Sequence, residues 1–211
     1  MRVILASASP RRRELLEQVG LEFEVIPAEG EETGTALEPW ELVEELASRK
    51  AEEVFKKLQA SSAAADGDFV VLGADTVVAL DGKILGKPEN EERAFQMLSC
   101  LQGSKHQVYS GVAIYYGFGA DVSAARGGDV DCMGESGQQK KCFHVMTEVE
   151  VFPMTEAQIT AYIATGEPMD KAGAYGIQGL FARYIKGIAG DYYNVVGLPV
   201  SRVMQALFSG E

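Results

Sequence analysis

Apolar positions along the chain recur with two periods that alternate, which predicts strand and helix in turn. Val3 to Ala6 is a short apolar run of strand type. Ser9 to Val19 reads as a helix, with Ser9 at the N-cap, Pro10 at the first helical position and Gly20 as the stop. Leu21 to Pro27 alternates as a strand, whereas the acidic and small residues of Ala28 to Leu37 carry no period and read as a loop. Pro39 opens a long helix to about Ala60, with Val43, Leu46, Ala47, Val54 and Leu58 recurring on its buried stripe. Phe69 to Leu72 is a buried strand that Thr76 to Leu80 continues after a break at Gly73-Ala74-Asp75. Asp81-Gly82 is a hairpin signal.

Asn90 caps a helix to about Leu101, and Val108 to Tyr116 and Cys142 to Phe152 are two long antiparallel strands. Between them residues 117–141, rich in Gly, Ala and Ser, read as a flexible surface insertion. Thr155 and Gln158 form a capping-box pattern for a helix to about Thr165. A glycine-rich segment, a strand near Phe181 to Ile188 and a helix over Leu198 to Phe208 complete the chain. This order is that of the α/β class, with residues 1–211 as a single domain.

Composition narrows the function classes. Hydrophobic residues at 46% and charged residues at 24% are those of a globular protein. Lys and Arg total 19 against 31 Asp and Glu, a net charge of −12, which opposes a general nucleic-acid binder and an anionic membrane surface. No apolar run approaches the roughly 18 residues that span a bilayer. The opening Met1 to Ala6 is too short for a signal-peptide core, so a cytoplasmic location is expected. Cys100, Cys132 and Cys142 form no CxxC pair and read as reduced thiols. His106 and His144 are too isolated for zinc and read as structural or surface residues.

Four features break local rules. Arg11, Arg12 and Arg13 crowd the first turn of a helix, where cations are unfavourable by roughly 0.3–1 kcal/mol each. With the hydroxyls of Ser7 and Ser9 and the free N–H groups of that terminus they compose an anion site, unless they are merely solvated. Lys50 lies on the apolar stripe of its helix, where it either snorkels to solvent or reaches an anion in a cleft. Asp75 ends a near-continuous apolar run and so stands at a strand end, where a carboxylate can hold Mg²⁺ or activate water, or be an ordinary turn residue. Asp170 to Gly179 holds three glycines that let backbone approach a ligand, yet it is neither a Walker A loop nor a GxGxxG motif. Together these features point to a polyphosphate gripped by cations, with carboxylates for a divalent metal. No serine–histidine pair is placed for nucleophilic catalysis, so direct attack by water is the simplest chemistry.

Ala6-Ser7-Ala8-Ser9-Pro10-Arg11-Arg12, Gly73 to Val78, Gly86-Lys87-Pro88, Tyr109 to Val112, Asp170 to Gly179 and Asn194 to Pro199, taken in order, resemble the Maf family of nucleotide pyrophosphatases. The resemblance implies an elongated, two-lobed α/β fold with a central mixed sheet and a cleft between the lobes, similar to the inosine-triphosphate pyrophosphatases. It implies hydrolysis of a nucleoside triphosphate between the α and β phosphates with a divalent metal, Mg²⁺ or Mn²⁺, in a cytoplasmic homodimer. Carried over by position, Ser7, Ser9, Arg12, Lys50 and Lys87 hold the phosphates, and Lys171 falls in a matching motif. Glu32 and Asp75 bind metal, with Asp75 as general base. Arg11, Thr76 and Gln178 occupy the three positions that divide the family by substrate, and they match the dTTP/UTP branch, possible CTP or modified-pyrimidine substrates included. The alternative expectation is a nucleotide-binding regulatory protein linked to septum formation, with incidental hydrolysis.

Overall fold

The computed structural model describes residues 1–30, 34–36, 38–61, 67–117, 132–133 and 139–208. The strands are β1 (Arg2–Leu5), β2 (Glu24–Val25), β3 (Phe69–Leu80), β4 (Lys83–Leu85), β5 (Lys105–Gly117), β6 (Cys132–Met133), β7 (Gln139–Val151) and β8 (Ile185–Ala189). The helices are α1 (Pro10–Gln18), α2 (Pro39–Gln59), α3 (Glu91–Leu101), α4 (Glu156–Ile163), α5 (Tyr192–Val196) and α6 (Val200–Phe208). The strands form one mixed sheet in the order β2-β1-β3-β5-β7-β6, with β4 on β3 and β8 on β7. β1 runs parallel to β2 and β3, and the remaining pairs are antiparallel. The α/β class and the mixed sheet are therefore as expected. Among the described residues no helix is long and apolar enough to cross a membrane.

The sheet is covered differently on its two faces, because successive strand residues point to opposite sides. Val71 of β3 and Ala113 and Tyr115 of β5 pack under α2 with Ala47, Val54 and Phe55. Their neighbours Val70, Leu72, Val112 and Ile114 face a larger core built with α1, α3, α4 and α6. Helix α2 lies close on the sheet because two glycines admit it. A Cβ at Gly73 would fall on the carbonyl oxygen of Ala47, and one at Gly111 on that of Val43.

That contact corrects one expectation. Gly73-Ala74-Asp75 does not interrupt a strand: β3 is continuous over 12 residues, and Gly73 serves close helix packing. Three other readings also shift. Residues 21–27 contribute only the exposed two-residue β2. Leu180–Tyr184 is a 3-10 turn preceding β8, and the short α5 precedes α6. Of the 117–141 insertion, Gly117 closes β5, residues 139–141 begin β7, and Cys132 and Met133 pair with Lys140 and Gln139. Residues 118–131 and 134–138 lie outside the described set.

The local signals hold where the chemistry is local. Asn90 Oδ1 accepts from the N–H of Arg93 at 2.9 Å. Thr155 and Gln158 complete the capping box. Asp81 and Gly82 make the two-residue β3–β4 turn with φ of 50° and 76°, the positive-φ pair of a type I′ hairpin.

Strand pairing also opens the cleft. β5 follows one edge of β3 from Phe69 to Ala79. On the other edge β1 pairs with residues 69–72 and β4 with 78–80. The edge of Gly73–Val77 thus faces a gap between β1 and β4.

Candidate active site

A cavity of about 830 Å³ opens at that gap. Its walls are the Ala6–Arg12 segment entering α1, the middle of β3, Lys50 of α2, the Gly86-Lys87 bend, the glycine-rich 170–179 segment and the end of α5. Ser7, Ser9, Arg11, Arg12, Lys50, Asp75, Thr76, Lys87, Lys171 and Gln178 all line it. Glu31 and Glu32 lie outside the described residues.

Asp75 and Thr76 are consecutive on β3 and so point to opposite faces of the sheet. Asp75 meets α2: its Oδ1 accepts from Lys50 Nζ at 2.7 Å, with side chains 13% and 15% exposed. The question over Lys50 is thereby answered, since it turns inward to a carboxylate rather than out to solvent. Asp75 stands mid-strand, not at a strand end as its apolar run suggested. The strand end that matters is that of β1, which stops at Leu5 and leaves β3 running on beside the cleft. The Gly73 and Gly111 contacts hold α2 near enough for the ion pair to form.

Thr76 faces the other side, into a buried polar network. Arg12 is 9% exposed and spends three donors on the walls. Nε donates to the Gly197 carbonyl at 2.9 Å, Nη1 to Ser7 Oγ at 3.0 Å and Nη2 to Thr76 Oγ1 at 3.2 Å. The hydroxyls of Thr76 and Ser110 share a hydrogen bond of 2.8 Å, and Ser110 Oγ donates to the Asn194 carbonyl at 3.0 Å. Asn194 Nδ2 continues to the Val108 carbonyl and to Thr147 Oγ1. Arg12 therefore knits α1, β3 and α5 together, a role that its place in an arginine cluster did not reveal. Ser110, Thr147 and Asn194 had no assigned role in the sequence reading. The available signal was a polar residue within an apolar segment, which must find partners once buried.

The remaining arginines divide by exposure. Arg13 faces solvent and pairs with Glu17 at 3.7 Å, while Arg11 leans into the cleft and meets Asp170 at 3.6 Å. Ser9 is the N-cap of α1 but its hydroxyl does not cap, so that hydroxyl stays at the cavity wall. Ser7 Oγ accepts from the N–H of Ser9 at 3.3 Å. The anion site of the sequence reading thus exists as a place, although its central guanidinium is already engaged.

On the far wall, Lys171 Nζ donates to Asp170 Oδ1 at 2.6 Å and to the Glu167 carbonyl at 2.7 Å. Lys87 and Gln178 are exposed. Gly173 (φ 69°) and Ala174 (φ 60°) both take left-handed backbone, costly for alanine. The N–H of Gly173 donates to the Gly86 carbonyl, fastening this segment to the Lys87 bend. Glu29 pairs with Lys57 at 3.3 Å.

Neither histidine lines the cavity. His106 is fully buried, with Nε2 2.8 Å from the Tyr175 hydroxyl, and burial pushes its pKa down to about 4. His144 Nδ1 lies 2.7 Å from Glu44 on the half-exposed face beside α2.

The arrangement brings cations from four segments and the carboxylates of Asp75, Glu167 and Asp170 against a single gap, which suits capture of a polyanion and proton removal beside it. The chain resembles a dTTP/UTP pyrophosphatase of Agathobacter rectalis, 50% identical over 210 residues, covering 97% of this chain and 95% of that protein. A dTTP/UTP pyrophosphatase of Thermococcus kodakarensis is 46% identical, with 94% and 91% covered. A solved HAM1 protein from Coxiella burnetii aligns over the full length of both chains at 15% identity, with a TM-score of 0.47. The Maf-like protein family profile matches residues 2–209, so this chain belongs to the Maf family.

Proposed function

We propose that the protein hydrolyses dTTP and UTP to the nucleoside monophosphate and pyrophosphate. The observation that carries this reading is the convergence of Asp75, Lys50, Lys87, Lys171 and the α1 N-terminus on one cavity, in a chain half identical to a protein named for that activity. The triphosphate lies across the entrance to α1, where backbone N–H groups and the Ser7 and Ser9 hydroxyls meet its oxygens. Lys50, Lys87 and Lys171 match the charge along it, and Arg12 holds the walls at fixed spacing. Asp75 accepts the proton of the attacking water, and Lys50 passes from the carboxylate to the phosphate oxygens as substrate enters. The α–β bond breaks, and the lysines stabilise the departing pyrophosphate.

A divalent ion fits this site in one form. Among the described residues no group of three or more His, Cys, Asp or Glu could hold a metal. Mg²⁺ commonly takes one or two carboxylates plus substrate phosphates. Asp75, with Glu32 as the second ligand, is such a set for Mg²⁺ or Mn²⁺. A bound ion there supplies charge neutralisation and a more acidic water.

Arg11, Thr76 and Gln178 read the base. The Gln178 amide both donates and accepts, which suits the O4 and N3–H edge of uracil and thymine. A nucleotide panel with product identification tests the proposal. UTP should give UMP and pyrophosphate, and dTTP and UTP should outrun GTP and 7-methyl-GTP. Formation of UDP and orthophosphate would refute it. The homodimer belongs to the same reading and is checked by sedimentation.

A further inference from the structure

Gln178 sits at the exposed tip of a turn, and among the described residues no hydrogen bond holds its side chain. Its position is set by the backbone on either side, and one carboxylate governs both. Glu167 Oε2 accepts from the N–H of Leu180 at 2.9 Å. Its Oε1 accepts from the Tyr162 hydroxyl at 2.8 Å, and the Tyr162 oxygen accepts from the N–H of Gly176 at 3.2 Å. The turn 176–180 is thus tied at its start through Tyr162 and at its end directly. Within it the N–H of Gly179 donates to the Gly176 carbonyl at 3.2 Å.

The glycines record the same device. A Cβ on Gly179 would fall inside the Glu167 carboxylate, and one on Gly176 would lie 2.7 Å from the Lys171 side chain. Neither residue has the positive φ that would by itself demand glycine, so the missing side chain at Gly179 makes room for the clasp and that at Gly176 for the Lys171 side chain. The ring of Tyr162 is buried, 5.1 Å from Phe181, so its hydroxyl is presented from a rigid base.

We propose that Glu167 is a positioning residue for base recognition: its carboxylate clasps the two ends of the 176–180 turn and so fixes where Gln178 meets the nucleobase. The inference rests on the proposed reading of Gln178. A carboxylate is needed because two donors converge on it. An amide of the same shape offers one acceptor and turns N–H groups toward the other donor. The phosphate-facing Lys50 and Asp75 stand on another wall, and Lys171 meets Glu167 through the backbone carbonyl, at 2.7 Å, which a change of the carboxylate leaves in place.

The test compares Glu167→Gln, Gly179→Ala and Gln178→Ala. For Glu167→Gln the KM for UTP should rise about tenfold, with kcat within about threefold, as expected for losing hydrogen bonds to a charged group. Preference for UTP over GTP should narrow by about tenfold. Gly179→Ala crowds the carboxylate from the opposite side and should reproduce this shift, and the double variant should be no worse than either alone. Competitive inhibition by inorganic triphosphate, which carries no base, should stay near wild type in Glu167→Gln; a parallel loss marks general damage and overturns the proposal. Preserved UTP preference in Glu167→Gln, when Gln178→Ala has lost it, also overturns the clasp. Unchanged preference in Gln178→Ala removes the base-reading role itself, and the clasp's purpose with it.

Discussion

Asp75 and Thr76 are neighbours in sequence yet belong to two differently built regions. On the α2 side, Asp75 and Lys50 form an ion pair at the cavity wall, which the proposed mechanism has substrate rearrange. On the α1 side, Thr76 is one member of a chain running from Ser7 and Arg12 through Ser110 to Asn194 and Thr147. Each buried partner there depends on the next, and an unmet member costs the full desolvation of its polar group. One side of the strand carries an ion pair facing the cavity, and the other a connected network that forms when the protein folds.

Mutating each side tests the division. Asp75→Asn keeps the shape and an acceptor for Lys50 but removes the base. Turnover of UTP should fall by about 10²-fold or more, while the urea midpoint changes little; wild-type turnover in the folded variant would end the assignment. Arg12→Lys should show the opposite emphasis. A lysine cannot satisfy Gly197, Ser7 and Thr76 with one fork, so unfolding free energy should drop by about 2–3 kcal/mol, measured by urea titration. If Arg12→Lys is as stable as wild type, the α1 side is not knit as described.

A third measurement addresses the α1 side through pH. His106 is buried and neutral, and burial holds its folded pKa at about 4, below the ordinary imidazole value of 6.5. The unfolded chain therefore binds the extra proton first as pH falls. Stability from this group is complete above 6.5 and declines between 6.5 and about 4, with a slope of about 1.4 kcal/mol per pH unit. Other carboxylates also titrate in this range, so the diagnostic is the difference between wild type and His106→Phe, which should flatten the slope over that window. The smallest expected effect concerns salt. The net charge of −12 gives no long-range attraction for a polyanion, so capture is local. At fixed metal, kcat/KM for UTP should change by less than about threefold between 50 and 300 mM salt; a steep fall would assign steering to the protein's overall field.

Much of this was legible before any coordinates. Caps, the Asp81-Gly82 turn and the long amphipathic α2 follow from chemistry within a few residues of chain. The anomalous Lys50, Asp75 and arginine cluster were visible because each contradicts its local environment, and Lys50, Asp75, Arg11 and Arg12 reach one cavity while Arg13 faces solvent. Gly73 was misread as a break because its reason lies in Ala47 and Ala51 of another element. Ser110 and Asn194 fell within matching motifs but were given no role for the same reason, as a polar side chain carries no mark of the partner it will meet.

By itself, then, the sequence determined the α/β order, the helix and turn signals, the acidic balance and the residues able to handle a triphosphate. Tertiary structure decided what each of those residues meets. It opened the gap beside Gly73–Val77 by pairing β1 and β4 at separate ends of one edge, turned Lys50 onto Asp75, and assigned Arg12 to the walls. Local signals act over three or four residues, whereas these contacts join positions 25 to 185 apart in the chain, and only the packed sheet brings them within reach.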